Sequence, residues 1–311
     1  MPYSAAPSRL LFILSFAAVY IIWGSTYLAV RFALTGFPPF ILVAMRYLVA
    51  GLLMLAFCIL KRERFLSLPV FGLQALSGIL MLVGGTGMVA WAEQYITSGQ
   101  VAVLIAAQPL WFLLLDKANW QKYFSDKFII SGLLIGFIGI VLFINLGEHE
   151  AKESSMKLIA MIGVQIGAML WVVGSLVTKK HKGSSSVIMN SSIQLVAASL
   201  FSALIAFCAG EFRAFEITTI PLNAWLGMVF LITFGSLIAY VAYIWLLGHV
   251  APALISTYTY VNPVVAVILG WLMADEKLHS GQLLGLAVIL IGILLVNVTG
   301  YKQALSKKQA A

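Results

Sequence analysis

Charge is what this sequence has least of. Only 10% of its 311 residues are Asp, Glu, Lys or Arg, against 62% hydrophobic, and the mean hydropathy is +1.02. A water-soluble domain carries roughly 25% charged residues. No soluble core could hide this much apolar surface, so lipid must be the solvent for most of the chain. Cysteine is also scarce. Cys58 and Cys208 are expected near opposite membrane faces, which leaves them as small apolar packing residues rather than a disulfide. No stretch reads GxxxxGK[ST], which removes a P-loop and ATP hydrolysis. HExxH is missing as well, and His149, His181, His249 and His279 sit in or beside loops, so a membrane metalloprotease is not expected. No metal or other cofactor is called for.

What is present is a series of apolar stretches of about the 20 residues that a spanning helix needs. They run over 10–34, 38–60, 69–92, 97–116, 127–146, 156–178, 187–209, 221–247, 252–273 and 281–299. The expectation is an all-α integral membrane protein of ten transmembrane helices with short loops. A β-barrel is the other spanning architecture, but runs such as Leu133–Ile144 are apolar on every face instead of alternating. The first stretch starts after Arg9 and is too long for a signal-peptide core, so it is expected to remain as a first helix.

The net charge of +8 invites a nucleic-acid reading, which its distribution opposes. With the N-terminus inside, Arg9, Lys61, Arg62, Arg64, Lys117, Lys122, Lys127, Lys179, Lys180, Lys182, Lys302, Lys307 and Lys308 fall on the cytoplasmic side. The outer side keeps Arg31, Lys152, Lys157, Arg213 and Lys277. This bias favours both termini in the cytoplasm and an even number of spans. The charges decorate loops and do not cluster on one surface, so no nucleic-acid partner is expected.

The two halves of the chain resemble each other. Gln108-Pro109 matches Asn262-Pro263 and Trp91 matches Trp245 at one common offset, Gly132 and Gly139 match Gly285 and Gly292 at nearly the same one, and Gly24-Ser25 matches Gly174-Ser175. Arg46 aligns with Gln194. Five helices in each half is an odd number, so the second half enters the membrane from the opposite side. Residues 1–148 and 149–311 then form two inverted repeats, the architecture of many alternating-access transporters. Chance matching of apolar helices is the competing explanation. The polar loop near 147–157 joins the halves.

Few polar groups lie inside the spans. Each proline of the two matched pairs removes a backbone hydrogen bond, freeing the carbonyls of Ile105 and Thr259. Such breaks near the midplane line a cavity or serve only as packing kinks. Gln108 and Asn262 supply amides beside Pro109 and Pro263. Arg46 is the one charge well inside a span, where insertion costs roughly 2.5–3.5 kcal/mol. It faces a cavity or a partner, or snorkels outward. Glu93 ends the third span on the same side, as Arg31 ends the first. An Arg46–Glu93 pair would bind a zwitterion, and Glu93 would otherwise carry a coupling proton or rest solvated at the interface. Trp91, Trp225, Trp245 and Trp271 suit an interfacial belt. Trp23 and Trp171, with Tyr27, Tyr240, Tyr243, Tyr258 and Tyr260, either line an amphipathic cavity or pack. Gly132-xxx-Gly136 and Gly281-xxx-Gly285 allow close helix contact within the bundle, or at a homodimer face.

Tyr20-Ile-Ile-Trp-Gly-Ser-Thr-Tyr27, Met45-Arg-Tyr-Leu-Val-Ala-Gly51, Gly84-Gly-Thr-Gly-Met88 with Ala92-Glu93, Phe234-Gly-Ser-Leu-Ile-Ala-Tyr240 and Tyr258-Thr-Tyr-Val-Asn-Pro263 together resemble the EamA-like exporters of the drug/metabolite transporter superfamily. The likeness spans nearly the whole chain. It implies two inverted five-helix repeats around a cavity among helices 1, 3, 4, 6, 8 and 9, in a bacterial or archaeal cytoplasmic membrane. It also implies outward movement of amino acids, nucleosides, other metabolites or drugs. Trp23, Gly24, Ser25, Arg46, Glu93, Pro109, Asn262 and Pro263 match positions typical of that family. One departure concerns the end of helix 4 in each repeat, where many relatives have Gly-Glu. Here Ala274-Asp275-Glu276 stands in the second half and Leu115-Asp116-Lys117 in the first, so a role tied to that acidic end does not carry over to the first half.

The expectation is therefore a secondary exporter of small amphipathic metabolites, amino acids among them, with the lipid bilayer and a small-molecule substrate as its partners. A multidrug efflux transporter is the alternative within transport. A membrane-embedded lipid-acting enzyme is the alternative of another class, and it would need clustered catalytic groups at one face that the sequence does not display.

Overall fold

The computed structural model describes residues 8–63, 65–145, 155–181, 185–213, 215–250, 252–256, 258–274, 280–281, 283–292 and 294–295. Among them there is no strand. The loop joining the two halves, the 148/149 boundary, both chain ends and the acidic pair Asp275-Glu276 lie outside the described residues, as does the side chain of Tyr260.

Among the described residues, seven helices are long and apolar enough to cross a membrane: α1 (Arg9–Ala33), α2 (Pro39–Leu60), α3 (Leu68–Ala92), α4 (Ser98–Leu115), α6 (Ser155–Lys180), α7 (Val187–Cys208) and α8 (Leu222–His249). Shorter apolar helices among them are α5 (Lys127–Asn145), α9 (Tyr258–Ala274) and α10 (Leu283–Gly292). Large apolar side chains such as Leu52, Phe57, Ile138, Leu204, Leu226 and Trp271 stand exposed around them. In water that surface would drive aggregation; in hydrocarbon it costs nothing.

The helix boundaries follow local chemistry. Thr97 and Gln100 form a reciprocal capping box at the start of α4, satisfying two otherwise orphaned backbone donors. The Ser186 hydroxyl accepts from the Met189 amide, 3.0 Å, at the start of α7. Pro39 and Pro69 occupy first-turn positions of α2 and α3, where a missing N–H is harmless. Gly210, with φ 74°, ends the run beyond α7, a left-handed conformation that glycine adopts without strain.

Three helices contain π-helical stretches: Ala18–Ile22 in α1, Ile79–Gly87 in α3 and Leu231–Tyr240 in α8. The span expected over 97–116 is also divided. Helix Ser98–Ile105 gives way to a turn at Ala106 and Ala107 before Gln108–Leu115.

The long helices pair closely: α2 runs along α7, α3 along α6, and α1 along α8 and α9. Small residues and hydroxyls make these contacts. Ser199 and Ser202 of α7 donate to the carbonyls of Ala44 and Phe40 in α2, 2.9 and 2.8 Å. Two free thiols, Cys58 and Cys208, lie apart, one buried and one exposed. Glycines matched between the halves meet close neighbours. A Cβ on Gly139 would stand 2.5 Å from the Ile289 amide nitrogen, and one on Gly292 2.5 Å from that of Gly136. Both therefore pack α5 against α10 within the chain.

Candidate functional site

The seven helices α1, α2, α3, α4, α6, α8 and α9 converge on a cavity with about 680 Å³ of space between its lining atoms, mouth included. Trp23, Tyr27, Arg46, Gln108, Trp171, Tyr240, Tyr258 and Asn262 all border it. Tyr243 stands behind this wall: its hydroxyl accepts from Trp171 Nε1 at 3.0 Å and lies 2.7 Å from the Ser175 hydroxyl. Pro109 and Pro263 lie within helices and shape the wall without lining it. Sequence reasoning missed Tyr47, Thr26 and Thr86, which complete the lining.

One end of the cavity is floored by aromatic rings. Trp23 meets Trp171 edge to face at 5.4 Å between centroids, and Tyr243 and Tyr258 at 5.0 Å each. Such edge and tilted contacts are favourable geometries for rings. The Trp23 indole also donates to the carbonyl of Gly235 in the π stretch of α8, 3.3 Å.

Both matched positions have polar partners. At the break in α4 the carbonyl of Leu104 accepts from Gln165 Nε2 of α6, 2.9 Å, and Gln165 Oε1 accepts from the Trp111 indole, 2.9 Å. Gln165 carried no sequence signal, because a single glutamine in an apolar run does not reveal which carbonyl it will meet. Helix α9 runs through Pro263 without the expected break, and there the Asn262 amide donates to the carbonyls of Tyr20 and Tyr258, 3.0 Å each; this orientation leaves its oxygen toward the Tyr27 hydroxyl, as hydrogen-bond logic requires. Across the cavity the Tyr258 hydroxyl donates to Gln108 Oε1, 2.5 Å.

Arg46 is 5% exposed. Its Nε donates to Ser236 Oγ of α8, 2.8 Å, and its guanidinium stands 5.0 Å from the Tyr47 ring centroid. The expected Arg46–Glu93 pair is not formed. Glu93 is fully buried at the end of α3 and does not line the cavity. Its backbone carbonyl accepts from Arg31 Nη1, 2.9 Å, and its carboxylate lies within electrostatic reach of Tyr27. Of the two residues only Arg46 borders the cavity, which a linear sequence of apolar neighbours does not show.

Beyond the aromatic floor, Gln194 is the hub of a buried polar network. Its amide donates to Gln74 Oε1 (2.6 Å) and Thr178 Oγ1 (3.0 Å), and its oxygen accepts from the Tyr240 hydroxyl (2.6 Å). At the other end of the bundle, the Glu211 carboxylate caps the start of α2, accepting from the amides of Phe40 (3.1 Å) and Ile41 (2.9 Å). Burial pushes the Glu211 carboxyl above the usual glutamate range, although these amides pull the other way. Among the described residues no cluster of His, Cys, Asp or Glu could hold a metal ion.

The model of the EamA-like transporter family matches residues 10–145 and again 158–298. The chain belongs to that family. It is 35% identical over 286 residues to "Uncharacterized inner membrane transporter YedA" of Escherichia coli (strain K12), covering 91% of this chain and 90% of that one. Protein PecM of Dickeya dadantii (strain 3937) is 26% identical over 285 residues, 89% of each chain. A crystal structure superimposes with a TM-score of 0.64 at 18% identity, covering 94% of this chain and 99% of the other, a likeness of fold. The chain is thus a multi-pass membrane protein of a transporter family.

Proposed function

We propose that this protein is a secondary exporter of small amphipathic metabolites that works by alternating access in the inner membrane. The observation that carries the reading is the cavity itself. It draws its lining from both halves of the chain and is bordered by Gln108 and Asn262, each followed by a proline. Rocking of one half against the other would expose it to each side in turn.

Ten spans in two inverted repeats, residues 1–148 and 149–311, with both termini cytoplasmic, fit this reading. Exchanging helix n with n + 5 turns the α1–α8 contact into α6–α3 and maps α2–α7 onto itself, and all three contacts occur. The family model also matches twice, once in each half. Relatives named as inner membrane transporters support the location. Glu93, the acid buried in the bundle, is the proposed carrier of a coupling proton. The test is flux in proteoliposomes: labelled metabolites should move, and Glu93→Gln should flatten the response to a pH gradient. Absence of solute movement beside turnover of lipid would reject transport, and an unchanged pH response would remove Glu93.

A further inference from the structure

Among the described residues that line the cavity there is one fixed charge, and it is positive. Arg46 is the only ionisable group among them other than tyrosines. Glu93, the acid expected to balance it, is not one of the lining residues. A guanidinium keeps its proton in a protein, and it presents several donors in a planar fork. Here Nε is taken by Ser236, and the residue borders the cavity while being 5% exposed. A buried cation without a counter-charge is costly, and an anion entering the chamber would supply one.

We propose that the cavity selects organic anions, in which a carboxylate seats on the Arg46 fork and an apolar or aromatic body lies against Trp23, Tyr27 and Tyr258. The inference rests on the transport reading of the same cavity and narrows its substrate class. Charge-assisted, two-pronged contact between guanidinium and carboxylate gives both strength and orientation. The rings next to it supply apolar contact without any opposing charge. An amine in the same chamber would meet Arg46 as a like charge. Lipophilic cations, which a multidrug exporter would carry, are thereby disfavoured.

The position of the fork is itself built in. Gly235 lies so close that a Cβ there would stand 2.7 Å from Arg46 Nη2. Ser236, its neighbour in the π stretch of α8, holds Nε. Two adjacent residues of one helix thus fix a cation that belongs to another.

Isosteric probes test the proposal on the whole purified protein. Phenylacetate and indole-3-acetate carry the same rings as phenethylamine and tryptamine, with opposite charge. Binding is read by ligand-induced shift of the unfolding temperature. The two acids should bind at least about tenfold more tightly than the two amines, the scale expected for a charge-assisted pair. Arg46→Gln should abolish that preference, and Arg46→Lys should keep part of it. Tighter or equal binding of the amines, no binding of any probe, or a preference that survives in folded Arg46→Gln would overturn the proposal. If Arg46→Gln does not fold, the comparison of acids with amines on the unaltered protein still decides. Acid binding without flux of any solute would sink the transport reading and leave the anion site standing. Flux of the amines would do the reverse.

Discussion

The hydroxyl of Tyr258 donates to Gln108 Oε1 over 2.5 Å, and both side chains are buried. This bond joins the start of α9 to the second half of α4, the two helices that carry the matched prolines. Tyr258→Phe leaves the amide oxygen without its donor. A buried acceptor so orphaned costs about 1–3 kcal/mol. Purified Tyr258→Phe should therefore melt below the unaltered protein. Adding Gln108→Leu should recover part of the loss, because replacing both partners by apolar groups removes the orphan.

Gln194 joins four helices through Gln74, Thr178 and Tyr240. Gln194→Leu strands the oxygen of Gln74 and the Tyr240 hydroxyl, both of them buried. Each stranded group costs on the order of 1–3 kcal/mol, and the losses compound in a connected network. The expected result is a broad, aggregated profile in size-exclusion chromatography, with recovery in Gln194→Asn no better than partial.

Gly139 leaves no room for a side chain, since its Cβ would meet the Ile289 backbone nitrogen at 2.5 Å, whereas a Cβ on Gly72 would meet nothing within 4 Å. Gly139→Leu should destabilise by about 1–3 kcal/mol, the usual cost of overpacking. Gly72→Leu should leave the unfolding temperature where it is. A matching loss at both sites would show that the α5–α10 contact is not the cause.

Glu211 sets the sign of a pH effect. Burial raises its carboxyl above the ordinary glutamate value, which is about 4.3 in an unfolded chain. Between that value and the raised one, the folded protein holds a proton that the unfolded chain has released. Stability must therefore fall as pH climbs through this window and level off above it. The unfolding temperature of Glu211→Gln should lack that decline. A rise of stability with pH in the unaltered protein, absent in the variant, would give the opposite sign and refute the assignment.

Gly235→Ala places a methyl group where Arg46 Nη2 now lies, 2.7 Å away. The guanidinium is the flexible partner and should move, so folding should survive. The half-saturation concentration for carboxylate substrates should rise about tenfold, the value of one displaced charged hydrogen bond, with the maximal rate less affected. Comparable changes for uncharged solutes would place the fault in general packing.

Much of the bundle was legible because a bilayer asks for one thing, a run of apolar residues long enough to cross. Runs such as 38–60 and 187–209 correspond closely to α2 and α7. The same uniformity hides which way each helix faces. Trp23 and Asn262 could be singled out by type, and both border the cavity, yet nothing in the sequence showed that Arg46 borders it and Glu93 does not. Gln165 and Glu211 act on backbone groups of helices far away in sequence, and such pairings arise only once the helices cross. The π-helical stretches have no signature either, since their residues are ordinary apolar ones whose hydrogen-bond spacing is decided by their neighbours.

Those stretches have a mechanical consequence. A π turn closes its hydrogen bonds at i→i+5, one residue wider than an α turn. Rewinding a stretch to α geometry advances everything beyond it by one residue, a rotation of about 100° around the helix axis. In α1 such a stretch ends immediately before Trp23; in α3 and α8 it contains Gly85 and Gly235. The chamber wall thus includes three built-in screw threads, through which side chains can be turned toward or away from a solute without any hinge at the helix ends.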